Sequence, residues 1–511
     1  MTHPSLHVPR ADGHQTPGGT QPSSPVADTD REPQDVEQGL ASVVSDNGDD
    51  NIVGWDGDDD PENPYNWSSG KKFVNCGLVS CLTLLAPLAS SAFAPGTPQL
   101  LQDFGSTNTE LSAFVLSVYV LGYAVGPMLA APMSEMYGRC IVYLTTNIGF
   151  VAFLVGCALA PSMDAFIVFR FFSGALGSCV LANGGGTIAD MIEPAKRGRV
   201  MAAFSVIPLI GPIIGPVAGG FLVESSGWRW VFWFLTIVAG FVTINMALFM
   251  RESYAPVLLE RKARRLRQAT GNPLLRSKLD TGLTPIQLFA RSIIRPCRIL
   301  FCSPLVLVFS VYMVVIHGYL YLLFASVSVV FQDTYKFSTS TSGLVFLSIG
   351  LGSITSLVWH SMTSDGEAAE RAKDDHFEPE FRLKLLPYGA FCIPVGFFIY
   401  GWTTYYKTHW IAPLIGLYFF GLGNMLSTMT ISTYLVDTYS MYAASALASL
   451  SILRSIAGAL LPLGASKVYD TLGLGWGNSL LGFIACALIP LPFLIRKYGA
   501  KLRKEYEIKD L

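Results

Sequence analysis

Twelve apolar runs constrain this chain more than any other feature, because a helix of about 20 apolar residues crosses a bilayer. Only 14% of the residues are charged, against roughly 25% in soluble domains. The sequence therefore predicts an all-α membrane protein with twelve transmembrane helices. The runs are centred near residues 83, 121, 150, 177, 211, 239, 314, 352, 395, 422, 454 and 486.

The runs form two groups of six around a hydrophilic segment. We predict a first six-helix half over 71–250, a central loop over 251–302 and a second six-helix half over 303–497. Two tails, 1–70 and 498–511, flank them. The first tail is rich in Pro, Ser, Gly and Asp. It cannot bury enough apolar surface to fold, so it is predicted to be disordered.

Basic residues are concentrated on one side of the predicted membrane, in the loops with Arg139 and Lys196, the central loop and the C-terminal tail. The positive-inside rule makes this side cytoplasmic, with both termini inside. We expect a multi-pass protein of the plasma membrane. The stretch PVLLERKARRLRQ predicts a basic amphipathic helix on an anionic inner leaflet. A partner-binding helix is the alternative.

Two six-helix groups joined by a cytoplasmic loop are typical of secondary transporters. The sequence contains no phosphate-binding GxxxxGK[ST] loop, which an ATP-driven pump would need. It also shows no metal-ligand cluster and no nucleophile motif. We therefore expect no enzymatic activity, no cofactor, no metal and no nucleic-acid partner. We further expect a monomer.

Four stretches resemble signatures of the major facilitator superfamily, specifically its fungal drug:proton antiporter group with twelve spans. The resemblance covers roughly residues 61–500 and implies the major facilitator fold, alternating access and proton antiport. It says little about the substrate. The stretches are GPMLAAPMSEMYGR (126–139), RFFSGALGS (170–178), GPIIGPVAGG (211–220) and YLVDTYSMYAASALASLSILRS (434–455).

The stretch GPIIGPVAGG places glycines four residues apart on one helix face. These are Gly211, Gly215 and Gly219, with Pro212 and Pro216 on the next stripe. Small residues at this spacing let two membrane helices approach closely. A static packing seam is one interpretation. The resemblance implies instead a tight, yielding contact between the two halves, which hinges during alternating access.

The stretch ending at Arg139 predicts a gate. Glu135 ends the second helix, Gly138 allows a sharp turn and Arg139 opens the third helix. A carboxylate there can interact with a helix N-terminus or a basic residue in one state and release it in the other. The neighbouring loop offers plausible partners in Asp190, Glu193 and Arg197. A solvated charge pair is the alternative, and Cys140 stands where the family usually has a second basic residue.

Three basic or titratable residues lie inside apolar runs: Arg170, His317 and Arg454. Intramembrane charges are costly and commonly face a cavity, and histidine can titrate near neutral pH. We assign these residues to substrate binding or proton coupling, with a structural role as the alternative for each. Tyrosines beside His317 extend this site: Tyr312 and Tyr319, with Tyr321 nearby.

Asp and Glu are missing from the middle of the runs. A carrier of polyamines would be expected to keep a buried acid as counter-ion, so the cavity suits a neutral or anionic small organic substrate. We predict an exporter of a secreted metabolite, an organic acid or a lipophilic drug, coupled to protons. A uniporter or importer of similar compounds is the main alternative, and a transporter-like sensor is another.

Overall fold

The computed structural model describes residues 51–106, 109–280, 282, 284–371, 379–439 and 443–506. The chain divides into residues up to Ile52 and a compact unit from Val53 to Leu511. The membrane-spanning helices lie in the compact unit. The predicted disorder of residues 1–50 lies outside the described residues.

The described residues contain twelve helical segments that are long and apolar enough to cross a membrane. The number of spans predicted from the sequence is therefore confirmed. We call the segments spans 1 to 12, in chain order: Ser69–Asp103, Glu110–Tyr137, Arg139–Ala158, Met163–Met191, Lys196–Ser226, Arg229–Phe249, Pro304–Tyr335, Thr339–Thr363, Pro379–Tyr405, Ile411–Thr438, Ser445–Gly464 and Lys467–Arg503.

Several spans contain more than one helix. The individual helices run Ser69–Ser91, Thr97–Asp103, Thr109–Tyr137, Arg139–Ala158, Met163–Gly177, Cys179–Met191, Pro194–Ser226, Arg229–Phe249, Pro304–Tyr335, Thr339–Leu344, Phe346–Arg371, Leu386–Tyr405, Ile411–Thr438, Ala443–Leu488 and Pro490–Glu505. Gly473 has a φ of 70° and breaks the helix that joins spans 11 and 12. Short 3₁₀ turns cover Pro64–Asn66, Ala94–Gly96 and Pro379–Leu385.

The central loop folds into two further helices. The basic helix, Ala255–Thr270, covers the stretch predicted to be amphipathic, and a connecting helix runs Pro285–Cys302 to span 7. Two short strands, β1 (Ile52–Val53) and β2 (Arg276–Ser277), pair beside the basic helix. Leu259 and Ala263 lie on the buried face of the basic helix, which packs against the rest of the protein.

The segment before span 1 is held by the basic helix. The buried Lys262 ammonium pairs with Asp56 and, at 3.4 Å, with Asp60, while Arg265 pairs with Glu62 at 2.9 Å. Burial tends to raise the pKa of Asp60, but the backbone N–H groups of Asp56 and Glu62 and the Lys262 charge outweigh it and lower that pKa. The predicted disordered tail is therefore wrong for this segment, because its acidic residues find basic partners that are distant in sequence.

The two halves meet where span 2 packs against span 11 and span 5 packs against span 8. We call the end of the bundle with the basic helix the basic end and the other the opposite end. At the opposite end Glu224 of span 5 accepts a hydrogen bond of 2.7 Å from the backbone N–H of Ser340. This polar contact between the halves shows that they touch at the opposite end.

Candidate functional site

The glycine face of span 5 packs against span 1, not against the other half. A Cβ atom on Gly219 would lie 1.7 Å from the Ala92 carbonyl oxygen, and one on Gly211 would lie 2.8 Å from the Leu88 nitrogen. A Cβ on Gly215 would meet span 1 in the same way. The prediction that these three glycines join the two halves is therefore wrong, because span 1 of the same half occupies their face of the helix.

The neighbouring stripe of span 5 does contact the second half. The Pro216 carbonyl oxygen lies 2.4 Å from the position that a Cβ on Gly343 would take, and a Cβ on Gly220 would lie 2.9 Å from the Thr339 carbonyl oxygen. Pro212 lies half-buried on this helix. The predicted close contact between halves therefore exists, but Pro216 and Gly220 make it.

Arg170 caps the end of the first helix. The last four carbonyls of a helix lack partners within it, and the first helix of span 1 ends at Ser91. Fully buried Arg170 donates from Nη1 to the Ala89 carbonyl at 2.9 Å and from Nη2 to the Ser90 carbonyl at 3.2 Å. Its Nε donates to the Val115 carbonyl of span 2 at 3.4 Å.

These contacts support the structural alternative for Arg170. All three guanidinium nitrogens donate to backbone carbonyls, and the group also lies 4.5 Å from the centre of the Tyr119 ring, close enough for a cation–π interaction. A substrate carboxylate would have to displace those carbonyls, each of which would lose its hydrogen bond. The predicted substrate role of Arg170 therefore loses its basis.

Tyr312 and Tyr319 point into the second half. The Tyr312 hydroxyl is 3.1 Å from the Ser427 hydroxyl in span 10, and the Tyr319 hydroxyl donates to the Leu481 carbonyl in span 12 at 2.9 Å. Both hydroxyls are buried and satisfied within their own half. The expectation that they line a substrate site is therefore wrong in this structure.

His317 and Tyr321 lie on the other face of span 7. Tyr321 lies against span 11, because a Cβ on Gly458 would be 3.0 Å from its ring. It is also close enough to Arg170 and Arg454 for their charges to interact with it. Helical spacing already predicts these two faces. His317 and Tyr321 are four residues apart, about one turn, so they share one face. Tyr312 and Tyr319 are seven residues apart, about two turns, so they share another.

Arg454 differs from Arg170 in having no hydrogen-bond acceptor among the described residues. It is half-buried in the middle of span 11, close enough to His317 and Tyr321 for electrostatic interaction. Among the residues that the structure describes, none accepts a hydrogen bond from the Arg454 guanidinium. The buried His317 Nδ1 also lacks a partner there. We call His317, Tyr321 and Arg454 the central polar cluster.

At the basic end, a buried carboxylate caps span 3. Glu252 accepts hydrogen bonds from the backbone N–H groups of Arg139 at 2.8 Å and Cys140 at 3.1 Å. It also accepts from Ser253 at 3.1 Å and Tyr254 at 3.0 Å. A negative charge at a helix N-terminus is favourable, because the free N–H groups and the helix dipole both point at it.

Glu252 takes the position that was predicted for Glu135. Glu135 is exposed at the end of span 2, and Glu252 occupies the helix N-terminus in its place. The first of the two predicted contacts of Glu135 is therefore wrong in this structure, and the contact with a basic residue stays a prediction. Gly138 has a φ of 100°, and a Cβ there would lie 2.3 Å from a Glu252 oxygen. Arg139 pairs instead with Asp190 of span 4 at 3.1 Å. Sequence reasoning missed Glu252 because 113 residues separate it from Arg139.

Tyr254 connects these charges. Its ring lies 4.7 Å from the Arg139 guanidinium. Burial raises the pKa of Tyr254, and the negative charges of Glu135 and Asp190 raise it further against the opposing charge of Arg139. No group of His, Cys, Asp and Glu that could hold a metal ion occurs among the described residues. The ion pair and hydrogen bonds at the basic end therefore tie span 3 to span 4 and to the segment that follows span 6.

Residues 79–462 match the model of the Major Facilitator Superfamily. The chain belongs to the major facilitator superfamily. It is 49% identical over 484 residues to the MFS-type transporter tndD of Aspergillus flavipes, a match that covers 94% of this chain and 90% of that protein. It is 48% identical to the efflux pump radE of Floropilus chiversii, over 89% of this chain and 85% of that protein.

The fold agrees with solved members of the superfamily. The xylose transporter XylE from E. coli, in a partially occluded inward-open conformation, superposes with a TM-score of 0.60 at 16% identity. The match covers 82% of this chain and 97% of XylE. The predicted major facilitator fold of two six-helix halves is thus confirmed. The protein is a membrane transporter and not an enzyme.

For this transporter, we expect Glu252→Gln to be far more damaging than Glu135→Gln. A glutamine side chain has one acceptor oxygen and directs its NH₂ group at N–H donors. Each buried N–H left without a partner costs about 1–3 kcal/mol. Thermal unfolding of the purified transporter in detergent should show a clear loss of stability for Glu252→Gln, and transport should fall with it. Glu135→Gln, at an exposed side chain, serves as the comparison and should lose much less stability; equal stability of both variants would contradict the capping role.

Proposed function

We propose that this transporter exports small organic compounds, neutral or anionic, by alternating access, and that neutral compounds leave in exchange for protons. Its setting would be the plasma membrane, with the basic end and both termini in the cytoplasm. A relative at 48% identity carries the name efflux pump, which supports export. The observation that carries the proposal is Arg454, a guanidinium in mid-span without a hydrogen-bond acceptor in the described part of the chain.

Arg454 favours a particular sign of cargo. An arginine can hold a carboxylate through two parallel hydrogen bonds, and it can donate to the carbonyl or hydroxyl of a neutral compound. A polycation such as spermidine would face like charge at low dielectric. The spans offer no compensating acid near the cluster, because Glu224, Asp333 and Asp437 lie at span ends. Neutral amphiphiles and organic anions are therefore the proposed substrates.

His317 is the proposed proton carrier. Its Nδ1 is buried without a hydrogen-bond partner in the described structure, so a neutral His317 has an acceptor to offer to a cargo hydroxyl. A proton on Nδ1 removes that acceptor. Proton and neutral cargo would then compete for the cluster, and competition for one site is what exchange of the two across the membrane requires.

For an anionic cargo, a proton on His317 has the opposite effect on binding, and this favours a second candidate function. A proton on His317 adds positive charge close to Arg454, which strengthens the binding of an anion. Anion and proton would then move in the same direction, as in an importer. A uniporter, in which His317 stays neutral throughout, is the limiting case. The direction of coupling therefore depends on the charge of the cargo.

Purified transporter in liposomes with a pH gradient tests the proposal. We expect flux of a neutral amphiphile or a carboxylate-bearing compound and no flux of spermidine. The neutral cargo should move in the direction opposite to that in which protons flow down their gradient. Protein-free liposomes control for passive permeation. Robust spermidine flux would refute the proposed cargo class. Flux of neutral cargo that ignores the pH gradient would refute exchange and leave uniport.

We expect His317→Gln to uncouple neutral-cargo transport from the pH gradient. Glutamine keeps hydrogen-bonding capacity but cannot take up a proton. Downhill flux should persist, while uphill accumulation driven by a pH gradient should vanish. Tyr312→Phe is a matched control on the same span, because the Tyr312 hydroxyl is engaged by Ser427 in the second half. Retained uphill transport in His317→Gln would rule out His317 as the proton carrier.

A further inference from the structure

A charged groove of about 900 Å³ lies at the basic end, outside the central polar cluster. Its walls come from the segment before span 1, the starts of spans 1 and 3, residues 250–252 just after span 6, and the basic helix. Five basic side chains line it: Lys71, Arg251, Arg261, Arg264 and Arg265. Pockets of roughly 300–1,000 Å³ hold small molecules, so its volume suits a compact anionic ligand.

Two of the five cations are already compensated. Arg264 pairs with Glu260 at 3.3 Å, and Arg265 pairs with Glu62 at 2.9 Å. The groove's other acid, Glu252, accepts hydrogen bonds from four backbone N–H groups. Those donors are neutral, so Glu252 keeps its negative charge and contributes it to the groove.

The remaining three cations, Lys71, Arg251 and Arg261, form no ion pair with a carboxylate in the described part of the chain. Arg251 and Arg261 lie within electrostatic range of the Cys140 thiol, and so does Glu252. Five basic and two acidic side chains line the groove, so its net charge is about +3.

The surroundings of the groove point to a lipid. Ile141, which lines it, is 47% exposed, and Phe73, two residues after Lys71, is 79% exposed. Exposed apolar side chains on spans 1 and 3 are the surface that acyl chains cover in a bilayer. Trp67, an amphipathic side chain of the type found at the headgroup level, also lines the groove.

We propose that this groove binds one inner-leaflet phospholipid whose headgroup carries a phosphomonoester, the class of the phosphatidylinositol monophosphates. The phosphodiester supplies one negative charge and the phosphomonoester about −1.5 to −2, which together match the groove's net charge of about +3. Basic pockets on the cytoplasmic side of membrane helices are suited to such headgroups. The lipid site depends on the proposed orientation of the basic end and is independent of the cargo and of the direction of transport.

Native mass spectrometry of the purified full-length transporter tests this with short-chain lipids. Dioctanoyl phosphatidylinositol 4-phosphate should bind at least about ten-fold more tightly than dioctanoyl phosphatidylserine, which carries a single net charge. The double variant Arg251→Gln with Arg261→Gln should lose about ten-fold or more of that binding. Removing two charges from the same loop outside the groove, by Arg276→Gln with Lys278→Gln, should change it by less than about two-fold.

Three results would overturn the proposal. Equal binding of phosphatidylserine and the phosphoinositide would show only general attraction to anionic lipid. Unchanged binding in the Arg251 and Arg261 double variant would place the lipid elsewhere. Binding of soluble inositol 1,4-bisphosphate as tight as that of the lipid would assign the groove to a soluble anion. All four replaced side chains are exposed, so the variants are expected to fold, and thermal unfolding checks this.

Discussion

Arg454→Gln is expected to lower the transport kcat/KM for a carboxylate-bearing cargo by at least about 30-fold. Truncating one partner of a buried, hydrogen-bonded charge pair costs roughly 2–5 kcal/mol, and each 1.4 kcal/mol is about a factor of ten. Arg454→Lys keeps the charge but loses the planar fork, so its loss should be intermediate. Flux of neutral cargo should fall less, because a neutral group gains only ordinary hydrogen bonds from the guanidinium. Initial rates in liposomes, with both cargo types, measure this.

Arg170→Gln provides the matched control, since it also removes one arginine from a span. Its guanidinium holds the Ala89, Ser90 and Val115 carbonyls, so we expect lower thermal stability and yield. The protein that does fold should retain cargo affinity within about three-fold, because the charge removed does not face cargo. If Arg170→Gln folds normally and abolishes cargo binding while Arg454→Gln retains it, the two roles are reversed.

Gly219→Ala should destabilise the transporter more than a methyl group added at Gly220 or Gly240. The added Cβ would lie 1.7 Å from the Ala92 carbonyl oxygen. The obstacle is backbone, held in the region where Arg170 caps the helix end, so neither side can yield cheaply. Overpacking of a well-packed core typically costs about 1–3 kcal/mol and occasionally more. We expect a value at or above the upper end, measured as a lowered thermal transition and a loss of monodisperse protein.

Alanine substitutions at two other glycines distinguish packing within one half from contact between the two halves. Gly240→Ala in span 6 is the neutral control, because no heavy atom lies within 4 Å of its added Cβ. Gly220→Ala would press on the Thr339 carbonyl of the other half. It should impair transport more than stability, because two halves that must separate can shift apart. Wild-type stability of Gly219→Ala would contradict the packing of span 5 on span 1.

The face of span 5 with Gly211, Gly215 and Gly219 shows which part of the packing the sequence could not predict. Spacing alone identified a face of span 5 that admits a close neighbour, and a close neighbour is there. Which helix it is depends on the arrangement of twelve spans, and span 1 lies on that face while span 8 lies on the next. The two faces of span 7 could have been predicted, because helical periodicity places His317 and Tyr321 on one face and Tyr312 and Tyr319 on another.

The sequence by itself determined the number of spans, their division into two halves and the family, because hydrophobic length, charge segregation and motifs are properties of local stretches of chain. Only the tertiary structure decided which residues could act. Arg170 and Arg454 look alike in sequence, each a lone arginine in an apolar run. One is saturated by carbonyls from spans 1 and 2, and the other has no acceptor in the described structure. Whether a buried charge is available depends on partners far away along the chain.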